Sequence, residues 1–128
     1  MVELNTNHNY CIGIIGNLNI DLTIRNLSTL PKWGHEVIGE NYNHVTAGQA
    51  ANTALALARL GQSAKIIGNV GDDHYGQEIL KTLHKAGVLT SEIEITSGAK
   101  TGLSIAIVRR DGERAFISDP ACLKLFTQ

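Results

Sequence analysis

An alanine- and leucine-rich segment at residues 49–60, between two short apolar runs, constrains the fold more than any other feature of the sequence. Alanine and leucine favour a helix, and Gly61 directly after the segment predicts a left-handed C-terminal cap. The runs at 11–16 and 64–68 are flanked by glycine, as is typical of strands buried on both faces of a parallel sheet. Strand, helix and strand in this order predict an α/β fold with a crossover connection.

The rest of the chain repeats this alternation and adds strands of a second kind. Asp72 and Asp73 predict the cap of a helix at 75–86, ended by Gly87, and residues 92–95 predict a third short strand. The segments at 22–27, 35–45, 101–108 and 114–118 alternate polar and apolar residues, as strands with one solvent-exposed face do. Asp111 and Gly112 predict a two-residue hairpin loop. We therefore expect a βαβαβ core plus a set of half-exposed strands, in one domain over residues 1–128.

Size and charge exclude several classes of function. The chain has 128 residues, 43% of them hydrophobic, which suits one globular unit. Its net charge of -1 and the absence of a basic block argue against a nucleic-acid partner. The first ten residues are polar, and no apolar run approaches the roughly 20 residues that span a bilayer, so we expect no membrane partner and a cytoplasmic protein.

The sequence offers no obvious metal ligands or catalytic base. Cys11 and Cys122 lie at opposite ends of the chain, outside any metal-binding spacing, and are interpreted as buried or incidental thiols. The five histidines are scattered and stand mostly in polar surroundings, which is typical of surface histidines. We therefore assign no catalytic residue and no metal site.

A polar pair, Asn19 and Asp21, follows the first predicted core strand. Ligands of parallel sheets usually bind at the carboxyl ends of the strands, and alternate residues of an extended chain point the same way. An amide and a carboxylate facing one cleft could bind vicinal hydroxyl groups. Asn and Asp are equally frequent in loops because they hydrogen-bond nearby backbone groups, so these residues alone leave both interpretations open.

A second candidate site is the start of the predicted Ala/Leu helix. Gly48 allows a positive φ or a close backbone approach, and Gln49 and Asn52 could project toward a ligand at the helix N-terminus. The alternative is structural, with Gly48 in a turn and Asn52 capping backbone donors. The pattern by itself favours the structural alternative.

Small residues around this helix follow the spacing of a known signature. The positions concerned are Ala47, Gly48, Ala50, Asn52, Ala54, Gly61 and Gly71. Together with the GNLNID run at 16–21, the IGNVGDD run at 67–73 and the GER run at 112–114, they resemble the N-terminal signature of the ribokinase-like (PfkB) carbohydrate kinases. The resemblance covers residues 11 to about 118, whereas residues 119–128 fit the family less well.

The resemblance implies a Rossmann-like core with a small β-sheet lid, the half-exposed strands at about 22–45 and 101–118 being the lid. It also implies phosphorylation of a hydroxymethyl group on a sugar, nucleoside or related small molecule, with ATP and Mg²⁺ as cofactors of the full-length family. Ser104 is a weaker candidate for substrate contact. The positions that match the family's sugar pocket are Asn19, Asp21, Gly48, Gln49 and Asn52.

Two positions depart from the family pattern. Ala47 replaces the first glycine of the usual pair, and Gln49 replaces the lysine of ribokinases, which weakens the case for ribose as the substrate. The absence of basic residues beside Gly48 argues against a phosphorylated sugar, because its dianion usually needs Lys or Arg.

The family's second signature, a DTxGAGD-like segment, is not among the 128 residues. In the family that segment supplies the catalytic aspartate, a phosphoryl-stabilising helix N-terminus and the adjoining ATP pocket. Phosphoryl transfer rests on positioning and charge stabilisation, so we expect this chain to be the sugar-binding N-terminal part of a kinase, inactive and without a cofactor of its own. The alternatives are a non-catalytic module that dimerises through its lid strands, and a truncated remnant.

Overall fold

The computed structural model describes residues 10–126. Within this range the elements follow in the order β1 (Cys11–Ile15), β2 (Asn19–Leu27), β3 (Glu40–Ala47), α1 (Gln49–Arg59), β4 (Ser63–Gly71), α2 (His74–Lys85), β5 (Ile93–Thr96), β6 (Gly102–Arg109), β7 (Arg114–Asp119) and a 3₁₀ helix (Ala121–Leu125). The expectation of a polar N-terminus without a targeting segment concerns residues 1–9, which lie outside the described residues. Among residues 10–126, no helix combines the length and the hydrophobicity needed to cross a bilayer.

The first sheet has the strand order β1-β4-β5, and both pairings are parallel. This confirms the predicted α/β fold, in which helices connect parallel strands. The helices and the sheet share a core of completely buried side chains that includes Ala51, Ala54, Ile66, Ile79 and Leu83. The alanines of α1 let this helix lie close to the sheet, as its composition predicted.

Both helices end as the glycines predicted. Gly61 has a φ of +75°, the N–H of Gln62 donates to the carbonyl of Leu57 at 2.9 Å, and the N–H of Gly61 donates to that of Ala58 at 3.0 Å. Gly87 ends α2 with a φ of +81° and the same pair of bonds. Such bonds satisfy carbonyl groups that the end of a helix would otherwise leave unpaired.

The expectation that β1 is buried on both faces is wrong. Ile12 and Ile15 are exposed, Ile15 to 71%, and Cys11 is exposed as well. Within the described range β1 pairs with β4 alone and so forms an edge of the sheet. An apolar, glycine-bounded run indicates a strand, but it does not say how many neighbours or covering layers the strand has.

The second sheet has the order β3-β2-β6-β7, with β2 and β6 parallel and the two outer pairs antiparallel. Two predicted boundaries are wrong here. The strand predicted from residue 22 begins at Asn19, so Asn19 and Asp21 lie inside β2 rather than in a loop. The strand predicted from residue 35 begins at Glu40, and residues 35–39 form no regular element.

The hairpin between β6 and β7 has a three-residue loop rather than the predicted two-residue loop. The N–H of Arg109 donates to the carbonyl of Glu113 at 2.8 Å, and that of Gly112 donates to the carbonyl of Arg109 at 3.0 Å. Gly112 has a φ of +90°. A turn followed by a left-handed glycine is the common three-residue solution, and it sets the register so that Ser104 pairs with Ser118.

The cap of α2 also connects the helix to the start of β6. Asp73 accepts hydrogen bonds from the N–H of Gly76 at 3.0 Å and from the hydroxyl and N–H of Thr101 at 2.7 and 3.1 Å. Partial burial would raise the pKa of Asp73, but the hydrogen bonds from Thr101 and Gly76 outweigh it and hold this pKa below its usual value. The hydroxyl of Thr101 in turn accepts from the N–H of Gly71 at 3.0 Å.

The 3₁₀ helix is hydrogen-bonded to β4 of the first sheet and to the segment before β6. Its buried Cys122 donates its N–H to the carbonyl of Lys100 at 3.0 Å and accepts from the side-chain amide of Asn69, in β4, at 2.7 Å. Burial raises the pKa of the Cys122 thiol. The predicted buried or incidental role therefore suits Cys122, which is inert in this position.

Candidate functional site

Three polar side chains form a hydrogen-bonded row along the start of β2. The amide of Asn17 donates to Asn19 Oδ1 at 3.2 Å, and the amide of Asn19 donates to Asp21 Oδ1 at 2.7 Å. The side-chain oxygen of Asn19 is thus fixed by Asn17, and its amide nitrogen by Asp21. The row leaves the second carboxylate oxygen of Asp21 available for a ligand's hydroxyl groups.

The residues that alternate with this row hold the strand in place. Leu18 and Ile20 are completely buried in the core and point away from the polar row. Sliding β2 by one residue would expose both side chains and bury the polar ones, so the register is strongly specified. The core thereby fixes which face carries Asn19 and Asp21.

Gly48 brings the N-terminus of α1 against the polar row. It has a φ of +98°, and a Cβ at this position would lie 2.3 Å from the carbonyl oxygen of Asn17 and 2.9 Å from Asn19 Oδ1. The next residue, Gln49, donates its backbone N–H to Asn17 Oδ1 at 3.1 Å. Glycine is therefore required for two reasons, the backbone conformation and the close approach.

A cavity of about 270 Å³ lies over this row, between β2, β6 and β7. Ser104 on β6 and Ser118 on β7 are paired in its lining, and their hydroxyl groups hydrogen-bond to each other at 2.8 Å. The polar residues of its lining are Asn17, Asn19, Asp21, Ser104, Ser118 and Asp119. Amides, hydroxyls and carboxylates in one small cavity can bind a ligand that is rich in hydroxyl groups.

The sequence candidates are placed in two groups. Asn19, Asp21 and Ser104 line the cavity, and Gly48 lies against Asn17 and Asn19 outside this lining. The side chains of Gln49 and Asn52 are exposed on the first turn of α1 and are not part of this lining. Asn52 makes no side-chain hydrogen bond within residues 10–126. The N-cap residue of α1 is Gly48, which has no side chain that could cap this helix.

Three polar lining residues escaped the sequence analysis. Asn17 belongs to the GNLNID run and follows the same alternation as Asn19 and Asp21, so its spacing was a usable signal. Ser118 and Asp119 gave none, because their positions opposite Ser104 and Leu103 depend on the length of the loop at the end of the hairpin.

The described residues contain no cluster of potential metal ligands. Across residues 10–126, no three His, Cys, Asp or Glu side chains cluster closely enough to hold a metal ion. No residue in this range is therefore assigned to Mg²⁺.

Comparison with known proteins places this fold in a family. A sequence model described as "pfkB family carbohydrate kinase" matches residues 10–127. Ribokinase of Bacillus subtilis (strain 168) is 37% identical over 106 residues, which are 83% of this chain and 36% of that protein. Fructokinase-1 of Zea mays is 40% identical over 70 residues, or 55% of this chain and 22% of that protein.

A solved structure agrees with these sequence matches. The structure of ribokinase from Cryptococcus neoformans var. grubii serotype A in complex with ADP superimposes with a TM-score of 0.75 at 27% identity, covering 89% of this chain and 35% of that one. The family match continues to residue 127, which corrects the expectation that the segment after residue 118 fits less well. This chain spans about a third of the length of the ribokinases that it matches. With the signature residues in place around α1, the chain belongs to the pfkB family of carbohydrate kinases.

Proposed function

We propose that this chain forms the sugar-binding part of an ATP-dependent carbohydrate kinase, with the second sheet as the lid over the sugar. The hydrogen-bonded row of Asn17, Asn19 and Asp21, facing the cavity between β2 and β6, carries this proposal. The substrate is a sugar or nucleoside with vicinal hydroxyls and a free hydroxymethyl group. Family membership supports the kinase class, and the polar lining supports the class of ligand.

In this proposal each candidate residue has a separate role. Asp21 accepts hydrogen bonds from two neighbouring hydroxyls, and Asn19, whose carbonyl and amide ends are oriented by its two neighbours, holds Asp21 in place. Gly48 allows the sugar to approach the backbone at the start of α1. Gln49 and Asn52 contact the sugar from the first turn of that helix, and Ser104 contributes a hydroxyl from the lid.

The exchange of Asp21 for asparagine tests the pocket. We expect Asp21→Asn to weaken binding of the best neutral sugar by about tenfold, because a charged acceptor is replaced by a neutral one of the same shape. Isothermal titration calorimetry on the purified chain measures this. Glu92→Gln, which removes an exposed carboxylate just before β5, is the control and should leave the affinity unchanged. Equal affinities of the wild type and Asp21→Asn would contradict the proposal.

We further expect the chain to show no kinase activity by itself. The catalytic aspartate, the nucleotide pocket and the bound Mg²⁺ of the full-length family would have to come from sequence beyond these residues. The measurement is the transfer of labelled phosphate from ATP to a panel of sugars and nucleosides. Transfer that Asp21→Ala abolishes would contradict this expectation.

One observation favours a second candidate, a module that dimerises through the lid. The face of the second sheet opposite the polar row exposes Tyr42 and Ile117, at 77% and 63%, and strands β3 and β7 form its edges within the described range. Exposed apolar surface beside free edges is typical of an interface. Sedimentation at micromolar concentration separates the two candidates, since a monomer that binds a sugar supports the pocket. A tight dimer indifferent to every sugar and nucleoside supports the module.

A further inference from the structure

A second cavity continues from the proposed sugar site along the same face of the second sheet. It has a volume of about 440 Å³, and Asp21 lines both cavities. At its far end it contains two arginines, Arg25 on β2 and Arg114 on β7, with Thr23 and Phe116 also in the lining. The two cavities together therefore run from a carboxylate end to a cationic end.

The sheet register explains why the two arginines share a cavity. Arg114 pairs with Val108 on β6, and Arg25 follows Ile24, which pairs with Ile107 on the same strand. Arg25 and Arg114 therefore lie on strands that flank β6, near the same point of it. Arg25 is four residues beyond Asp21, which is about 13 Å along an extended strand. The long arginine side chain can cover part of that distance, so a single small molecule could contact both ends.

Neither guanidinium group has a carboxylate partner in the described part of the chain. Among residues 10–126, no ion pair engages Arg25 or Arg114. Two of the neighbouring acids are engaged elsewhere: Glu40, opposite Arg25, accepts from the amide of Asn26 at 3.3 Å, and Asp111 accepts from Arg109 at 2.9 Å. Two unpaired arginines at one end of a cavity form a site for an anion, because their planar forks match carboxylate and phosphate groups.

We propose that Arg25 and Arg114 bind an anionic group at the end of the substrate remote from its hydroxymethyl group. This inference rests on the proposed sugar site and extends it. The substrate class is then a sugar or polyol acid or ester, with its hydroxyls on Asn19 and Asp21 and its phosphate or carboxylate between the two arginines. The absence of a basic residue beside Gly48 in the sequence argued against a phosphorylated sugar. Arg25 and Arg114 lie at the other end of the polar row, so that absence does not bear on them.

Matched ligand pairs test the proposal. Fructose 6-phosphate and fructose differ by one phosphate, and gluconate and sorbitol differ by one carboxylate, while all four keep a hydroxymethyl group. We expect at least one anionic member to bind about tenfold more tightly than its neutral partner at low ionic strength, by calorimetry on the whole chain. If only fructose 6-phosphate binds more tightly than its neutral partner, the anionic group of the substrate is a phosphate. If only gluconate does, it is a carboxylate. Equal affinities within both pairs overturn the proposal.

Charge-matched variants locate the effect. In the double variant Arg25→Gln/Arg114→Gln, the anionic ligand should lose its higher affinity, and neutral sugars should bind as before. The control Arg59→Gln, in the last turn of α1, should keep the higher affinity for the anionic ligand. A gain that persists in the double variant overturns the assignment to these arginines. If neutral sugars bind and the anions add nothing, this inference fails and the proposed function stands.

If none of the four ligands binds, the anion site is tested without a sugar. The anion site is then decided by titrating ¹⁵N-labelled protein with inorganic phosphate. Shifts of the amides of Thr23, Val108 and Phe116 that the double variant lacks would support the site, and unchanged spectra would overturn it.

Discussion

Replacing Gly48 by alanine is expected to destabilise the protein by about 3 to 4 kcal/mol and to abolish sugar binding. The new Cβ would lie 2.3 Å from the carbonyl oxygen of Asn17, so the N-terminus of α1 and the start of β2 would have to separate. Separation breaks the hydrogen bond from the N–H of Gln49 to Asn17 and releases the row that orients Asp21. Urea unfolding followed by circular dichroism measures the loss.

Gly61→Ala is the matched control for this change. Gly61 also has a positive φ, +75°, but a Cβ there would meet no atom within 4 Å. Its variant should therefore lose about 1 kcal/mol, which is the cost of the backbone conformation alone. Equal losses in the two variants would show that the close approach at Gly48 contributes nothing.

Asp73→Ala should be similarly damaging, with a loss of about 3 kcal/mol of unfolding free energy. The substitution removes the acceptor of three hydrogen bonds, two of them from the buried Thr101, and leaves those donors unpaired. The adjacent Asp72 is the control, because it accepts a hydrogen bond from the N–H of Gly98 at an exposed position. Asp72→Ala should cost less than about 1 kcal/mol, and a larger loss than for Asp73→Ala would contradict the assignment.

The lowered pKa of Asp73 predicts that the free energy of unfolding depends on pH. The pKa of Asp73 is lower in the folded protein than its ordinary value of 3.8, so its ionised form stabilises the fold. That contribution is complete above the unfolded-state pKa and is lost as the pH falls through the folded-state pKa. Unfolding free energies measured from pH 7 downward should therefore decline in the acid range in the wild type, and less steeply in Asp73→Ala.

Local patterns were sufficient for the order and type of the elements. The period of residues 49–60 changes abruptly, and the glycines after both helices have the positive φ that their positions predicted. The parallel first sheet then followed from strands and helices that alternate along the chain. Each of these features depends on residues close together in sequence, which is why one chain was enough.

Features that depend on distant residues could not be predicted in this way. Asp73 was predicted as an ordinary helix cap, but its bonds to Thr101 exist because β6 begins next to α2. A two-residue loop at Asp111 and Gly112 would have paired Ser104 with Asp119, and Ser118 would then have faced away from the cavity. The length of the loop between β6 and β7 therefore decides whether Ser118 lines the cavity.

The contact between β4 and the 3₁₀ helix has a consequence for the order in which the protein folds. Asn69 is buried, and its amide donates to the carbonyl of Cys122, a residue 53 positions later in the chain. A ribosome would release β4 long before that acceptor, and until then the Asn69 amide has only its longer hydrogen bond to Thr96 Oγ1, at 3.4 Å. Contacts of this separation slow folding, and we expect the first sheet to mature last, after residue 122 has emerged.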